Sequence, residues 1–244
     1  MLHQGNVDSY RHKTGVFSDL VKNGLDECES MLTMLVQATK DAGVFEKTNF
    51  VITADHGQLN TTRKVNLNSL FASIGLIKVD NSGEVKDYKV WSKSSGMSGQ
   101  IYLKNPDDIK LKEDVYALLK EKRDDGLWGI SEVYTKEEFN KMHLDGDFSF
   151  VVETDGFTSF GDDWQGPLAV TTTNGGNCEL KGNHGFHPDK GPRPPFIGYG
   201  PDFLSGVVLE NAELVDGAPT YAKLVGVDMP DADGKALENL LRKE

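Results

Sequence analysis

Residues 17–57 hold an amphipathic stretch that leads through a short apolar run straight into Ala54-Asp55-His56-Gly57. Between Phe17 and Ala42, Val21, Leu25, Cys28, Leu32, Leu35 and Val36 recur at steps of three and four, the spacing of one face of an α-helix. Ser18 is available near its start and Gly43 closes it. Asn49 to Thr53 (Asn-Phe-Val-Ile-Thr) then reads as a short buried strand. A helix followed by a strand with polar groups at its carboxyl end is the building block of an α/β fold, in which ligands gather at that end.

The rest of the chain repeats the alternation. Val65 to Ile77 suggests a helix closed near Gly75, and Gly83 marks the turn of a polar hairpin. Gln100 to Leu103 and Phe148 to Glu153 read as strands around a helix from Lys110 to Arg123, which has Leu111, Val115, Leu118 and Leu119 on one face. Thr171 to Asn183 is a loop rich in Thr, Gly and Asn. Pro194 to Tyr199 reads as a strand, and Ala218 to Val227 and Gly234 to Arg242 as closing helices. A chain of 244 residues suits one large α/β domain with a modest insertion. Residues 85–163 are richest in charge and poorest in site motifs, so they are expected to form a cap or substrate-specificity region inserted between core segments 1–84 and 164–244.

A formal net charge of −12 opposes binding to nucleic-acid polymers and to anionic membrane surfaces, because both are polyanions. A small phosphorylated substrate would need local positive charge, which divalent cations held by carboxylates supply. Cys28 and Cys178 have no metal or disulfide spacing and read as thiols. No run is long and apolar enough to cross a bilayer, and Met1 to Asn6 lack the pattern of a secretion leader, so the chain as it stands reads as cytoplasmic, the alternative being a signal in an upstream segment.

Three short segments set metal-ligand side chains beside glycines: Asp8-Ser9-Tyr10-Arg11-His12 with Gly15, Asp55-His56-Gly57, and Gly182-Asn183-His184-Gly185. Carboxylate oxygen and imidazole nitrogen suit zinc and related divalent ions. Asp8 and His12, four apart, share a face if helical, although such pairs are commonly solvated. Asp55 and His56 point to opposite faces of an extended strand, so a common ligand requires the chain to turn there, and Gly57 eases that turn. Singly, each motif has a plain structural alternative.

The ordered set is more specific. D-x-x-x-H-x-x-G is followed by a strand ending in A-D-H-G, and later by His184-Gly185 and Phe196-Ile197-Gly198-Tyr199-Gly200-Pro201. Val65-Asn66-Leu67-Asn68, Asp216-Gly217-Ala218-Pro219-Thr220, Leu224-Val225-Gly226-Val227 and Pro230 extend the agreement. The chain resembles the carboxyl-terminal part of the alkaline phosphatase superfamily, in particular its nucleotide pyrophosphatase/phosphodiesterase branch. The resemblance implies a layered central sheet with helices on both faces and an inserted cap. It also implies two divalent ions about 4 Å apart, zinc or alternatively manganese. Asp8, His12 and His184 would ligate one ion, and Asp55 and His56 the other.

The implied activity is hydrolysis of phosphodiesters, nucleotide pyrophosphates or phosphomonoesters. That family pattern also draws a further Asp ligand and a Thr or Ser nucleophile from an earlier segment. Neither is found here, so the catalytic residue is unassigned, and the chain is expected to be incomplete at its N-terminus and to associate with that segment or with a second copy of itself. Ser9, Thr14 and Thr53 lie near ligands but match no nucleophile motif. His187, Lys190 and Arg193 flank the last ligand and are assigned as substrate contacts, with ordinary surface roles as the alternative. The rival reading is a non-catalytic metal-binding or interaction domain derived from such an enzyme. Trp91, Trp128 and Trp164, in or near the cap, suit core packing or base stacking.

Overall fold

A computed structural model describes residues 1–174, 177–178 and 181–242. The expected loop from Thr171 to Asn183 therefore falls partly outside the described residues, as does the Cys178 side chain. Helices α1 (Asn6–Thr14) and α2 (Asp19–Asp41) come first, then strands β1 (Phe50–Thr53), β2 (Leu59–Thr61) and β3 (Arg63–Asn66). Next are α3 (Leu67–Ser73), β4 (Ile77–Val79), β5 (Val85–Tyr88), β6 (Val90–Ser94), β7 (Ser98–Leu103), α4 (Ile109–Asp124), β8 (Ile130–Thr135) and α5 (Lys136–Lys141). Then follow β9 (Phe150–Thr154), β10 (Thr158–Gly161), β11 (Ala169–Thr171), β12 (Thr173–Asn174), β13 (Asn177–Cys178), β14 (Lys181–Asn183), β15 (Phe196–Tyr199) and α6 (Gly217–Leu224). The class is mixed α/β, spread over several small sheets.

The chain divides into two compact units, one of residues 1–25 and 58–192, the other of residues 26–57 and 193–244. Residues 85–163 lie wholly in the first. Its largest sheet is antiparallel, in the order β6-β7-β9-β8. Alternation along β9 sends Phe150 and Val152 to one face, where they join Leu67, Phe71, Ile101, Val115 and Leu119 in the main core. α4 presents Val115 and Leu119 to that core, and its first turn is capped by Asp108, whose carboxylate accepts the Leu111 N–H at 2.9 Å. The opposite face carries Val151, packed with Phe139 and Phe148. Trp91, Trp128 and Trp164 all pack against the main core, the reading that competed with base stacking.

The stretch expected to be helical from Val65 begins instead as strand. β3 runs through Asn66 because it is held on both sides, parallel to β10 and antiparallel to β11, and the helix opens only at Leu67. The turn at Gly83 is where expected, joining β4 to β5.

In the second unit β1 pairs with β15 antiparallel, from Phe50 opposite Tyr199 to Thr53 opposite Phe196. α6 occupies most of the expected stretch from Ala218 to Val227. The other expected closing helix, Gly234 to Arg242, reduces to a single 3-10 turn, Glu238–Leu240. Its backbone is claimed by distant partners: Lys235 N–H bonds the Asp216 carboxylate, Leu237 N–H the Thr220 hydroxyl, and Arg242 N–H the Asp202 carbonyl. Of these donors, the Arg242 N–H is the one a helix over this stretch would have given to the Glu238 carbonyl. The bonds at Lys235 and Leu237 hold the start of the stretch to α6 and the residue before it.

Candidate metal centre

α1 sets Asp8 and His12 one turn apart, so both side chains leave the same face, with Asp8 Oδ1 3.3 Å from His12 Nε2. β14 packs against this helix at Gly182. A Cβ at Gly182 would stand 2.7 Å from the Arg11 carbonyl oxygen, so only glycine allows the approach. His184 follows one residue after β14 ends, and its ring lies 5.2 Å from that of His12, centroid to centroid, edge to face.

Ligand atoms of Asp8, His12 and His184 all lie within 4.8 Å of one another. Bonds of about 2.0–2.1 Å to a tetrahedral zinc set its ligand atoms about 3.3 Å apart. The Asp8 to His12 separation meets that spacing, and one oxygen with two imidazole nitrogens is a donor set zinc accepts. All three residues are half-buried, open enough for a small molecule to reach them.

The supporting shell comes from the segment just after Gly57. Gln58, 5% exposed, donates its amide to Asp8 Oδ1 at 2.8 Å, and Asn60 Oδ1 accepts the Val16 N–H at 2.8 Å. Between them β2 pairs with β14, so one short strand supports both the helix and the His184 segment. The first unit holds the segment from the other side as well. The His184 carbonyl accepts the Met97 N–H at 2.7 Å, and Gly185, at φ +86°, passes so close to the Ser95 carbonyl that a Cβ would collide with it.

Asp55 and His56 belong to the second unit, in a bend just past β1. The chain bends there, bringing His56 Nε2 to 3.6 Å from Asp55 Oδ2, and the His56 N–H bonds Asp55 Oδ1 at 3.1 Å. Among the proposed substrate contacts, His187 caps the 3-10 turn Pro188–Lys190, its Nδ1 accepting the Asp189 N–H at 3.3 Å. The Lys190 ammonium donates to the Thr154 carbonyl at 2.9 Å and to the Ser131 hydroxyl. Arg193 lines a surface groove of the second unit with Asn211, Glu213, Asp216, Asp233 and Lys235.

Two residues of this neighbourhood were not anticipated from sequence. Gln58 carried a signal in its position directly after the Asp-His-Gly turn. Glu153 carried another, as a carboxylate in the run Phe150-Val151-Val152, which breaks the strand's apolar character. Glu153 is 4% exposed, and its Oε1 accepts the His187 N–H at 3.1 Å. Burial pushes its carboxyl up to about 7, against the opposing pull of the His187 N–H, the Lys190 charge and the Thr154 N–H.

Comparison with known proteins gives the fold and the family. Human ectonucleotide pyrophosphatase/phosphodiesterase 5 is 19% identical, with a TM-score of 0.68 over 97% of this chain and 56% of its own. The murine protein of the same name is 21% identical, with a TM-score of 0.65 over 96% of this chain and 56% of its own, in two structures of which one is an inactive variant in complex with AMP. This chain thus spans little more than half the length of those proteins, and at such identities the likeness shows the fold. No curated protein matches. The family model of type I phosphodiesterase/nucleotide pyrophosphatase matches residues 1–187, the span that contains all five metal-ligand candidates and the α1, β2 and β14 framework around three of them. The chain belongs to the type I phosphodiesterase/nucleotide pyrophosphatase family.

Proposed function

We propose that this chain carries the metal site of a phosphate-ester hydrolase acting on phosphodiesters, nucleotide pyrophosphates or phosphomonoesters, with Asp8, His12 and His184 holding one divalent ion. Zinc fits the donor set best, and manganese is the alternative. Asp55 and His56 are the donors for a second ion in this reading. When bound, such ions lower the pKa of the attacking group and offset charge on the phosphoryl and leaving oxygens. Gln58 orients Asp8 by donating to one carboxylate oxygen, which leaves the remaining lone pairs for the ion. His187, Lys190 and Arg193 are the proposed substrate-side groups. The AMP complex of the murine relative favours a nucleotide-bearing ester as the first substrate to test.

The observation that carries the proposal is the meeting of three donors from α1 and the β14 segment within 4.8 Å. No nucleophile is assigned within this chain. The Thr14 hydroxyl, for one, lies 2.8 Å from the Tyr10 carbonyl, the back-bonding usual for a helical threonine. That favours a second reading, a metal-binding domain without turnover of its own.

Zinc titration combined with hydrolysis of p-nitrophenyl phosphate and bis-p-nitrophenyl phosphate separates the readings. The expected result is zinc binding that His184→Ala weakens by at least about tenfold, with little turnover by the isolated chain. Absence of zinc binding at saturating concentration removes the site, and strong turnover places a nucleophile within this chain.

A further inference from the structure

Glu153 is a buried carboxylate to which the metal-site reading gives no part. Every residue of β9 is buried, and alternation sends Val151 and Glu153 to the face opposite Phe150 and Val152. Around Val151 that face is closed by Phe139 and Phe148. At Glu153 it meets residues 184–190, which three tethers hold in place. The Met97 N–H bonds the His184 carbonyl at 2.7 Å, Glu153 Oε1 accepts the His187 N–H at 3.1 Å, and the Lys190 ammonium reaches the Thr154 carbonyl at 2.9 Å and the Ser131 hydroxyl.

The third tether depends on an irregularity. The register of β8 against β9 shifts between Ile130 and Glu132, and Ser131, in the bulge, turns its hydroxyl toward the Thr154 carbonyl at 2.7 Å. The His187 N–H is three residues from His184, and the turn that follows it is closed by the His187 ring itself. Local bonds therefore shape the segment, while Met97, Glu153 and Lys190 decide where it lies.

We infer that Glu153 is a positioning residue: by accepting the His187 N–H it holds residues 184–190 where the His184 imidazole reaches Asp8 and His12. The Met97 N–H on the His184 carbonyl and the Lys190 ammonium are the other two tethers of the same segment. The inference rests on the metal-site reading for its consequence, but not for its geometry.

Amide hydrogen exchange without metal and zinc titration, both on the full chain, test it. Glu153→Ala removes the acceptor, and is expected to speed exchange at His187 by at least about tenfold and to weaken zinc by about 10–100-fold. Glu153→Gln keeps an acceptor oxygen at the same reach, and is expected to stay within about threefold of wild type on both readouts. Should the alanine variant fail to fold, Glu153→Asp draws the acceptor back by one methylene and is expected to move both readouts in the alanine direction. Wild-type exchange at His187 in the alanine or aspartate variant overturns the inference, whatever zinc does. An equal loss in Glu153→Gln and Glu153→Ala also overturns it. A wild-type chain that shows the exchange pattern yet binds no zinc supports the tether and overturns the metal-site reading instead.

Discussion

β9 of the first unit and β1 of the second are both short and mostly apolar, Phe-Val-Val-Glu-Thr against Phe-Val-Ile-Thr, yet every residue of β9 is buried while Ile52 of β1 is 42% exposed. β9 lies between β7 and β8 with α4 packed beneath it. β1 has one partner, β15, and among the described residues each of the two keeps an open edge. Ile197 and Tyr199 of β15 are 54% and 61% exposed. Apolar side chains set how much a strand can bury, and the elements around it decide how much it does. The first unit thus has a dense core, and the second exposes apolar surface of the kind that marks association.

The largest expected effect lies in the first core. Phe71→Ala, at a side chain with no exposure, is expected to cost about 3–5 kcal/mol in denaturant melts, while Ile197→Ala costs less than about 1 kcal/mol. Similar costs at the two positions would erase the comparison.

Next comes pH. The Glu153 carboxyl, raised from 4.5 to about 7, keeps its proton in the folded chain where the unfolded chain has released it. The folded state therefore binds more protons across that window, and its stability falls as pH rises from about 4.5 to about 7, with the penalty fully present above. A shift of that size corresponds to at most about 3.5 kcal/mol. Glu153→Gln is expected to flatten the profile and to be the more stable protein at pH 8. A slope unchanged in that variant assigns the pH dependence to other groups.

The smallest effect concerns association. Sedimentation of the wild-type chain is expected to show association that rises with concentration and that Ile197→Lys reduces, with stability altered by no more than about 0.5 kcal/mol. A compact monomer throughout would show that the exposed face of β15 drives no contact.

Elements with strong local periodicity were legible in the sequence. The three-and-four spacing from Val21 to Val36 appears as α2, the Asn49 to Thr53 run as β1, and the Leu111 to Leu119 face as α4. The two failures share a cause. Val65 and Asn66 were drawn into a sheet by β10 and β11, and Gly234 to Arg242 is held along its length by Asp216, Thr220 and the Asp202 carbonyl, the last taking a donor a helix would have used. Competition from partners far along the chain leaves no trace in a window of a dozen residues. At the site the ligand candidates were legible as residue types in sequence, whereas Gln58 and Glu153 act through bonds to residues 50 and 34 positions away.

By itself the sequence determined that this chain is α/β, that carboxylates and imidazoles stand beside glycines in three short segments, and which family carries that order of motifs. Side-chain periodicity and ligand chemistry are local properties, written residue by residue. Only the tertiary structure decided that Gly182 lets β14 lie on α1, that His184 consequently meets Asp8 and His12, and that a buried carboxylate on β9 anchors the segment beyond it. Those outcomes depend on how closely two backbones approach and on which donor finds which acceptor, and both are settled only when distant segments pack.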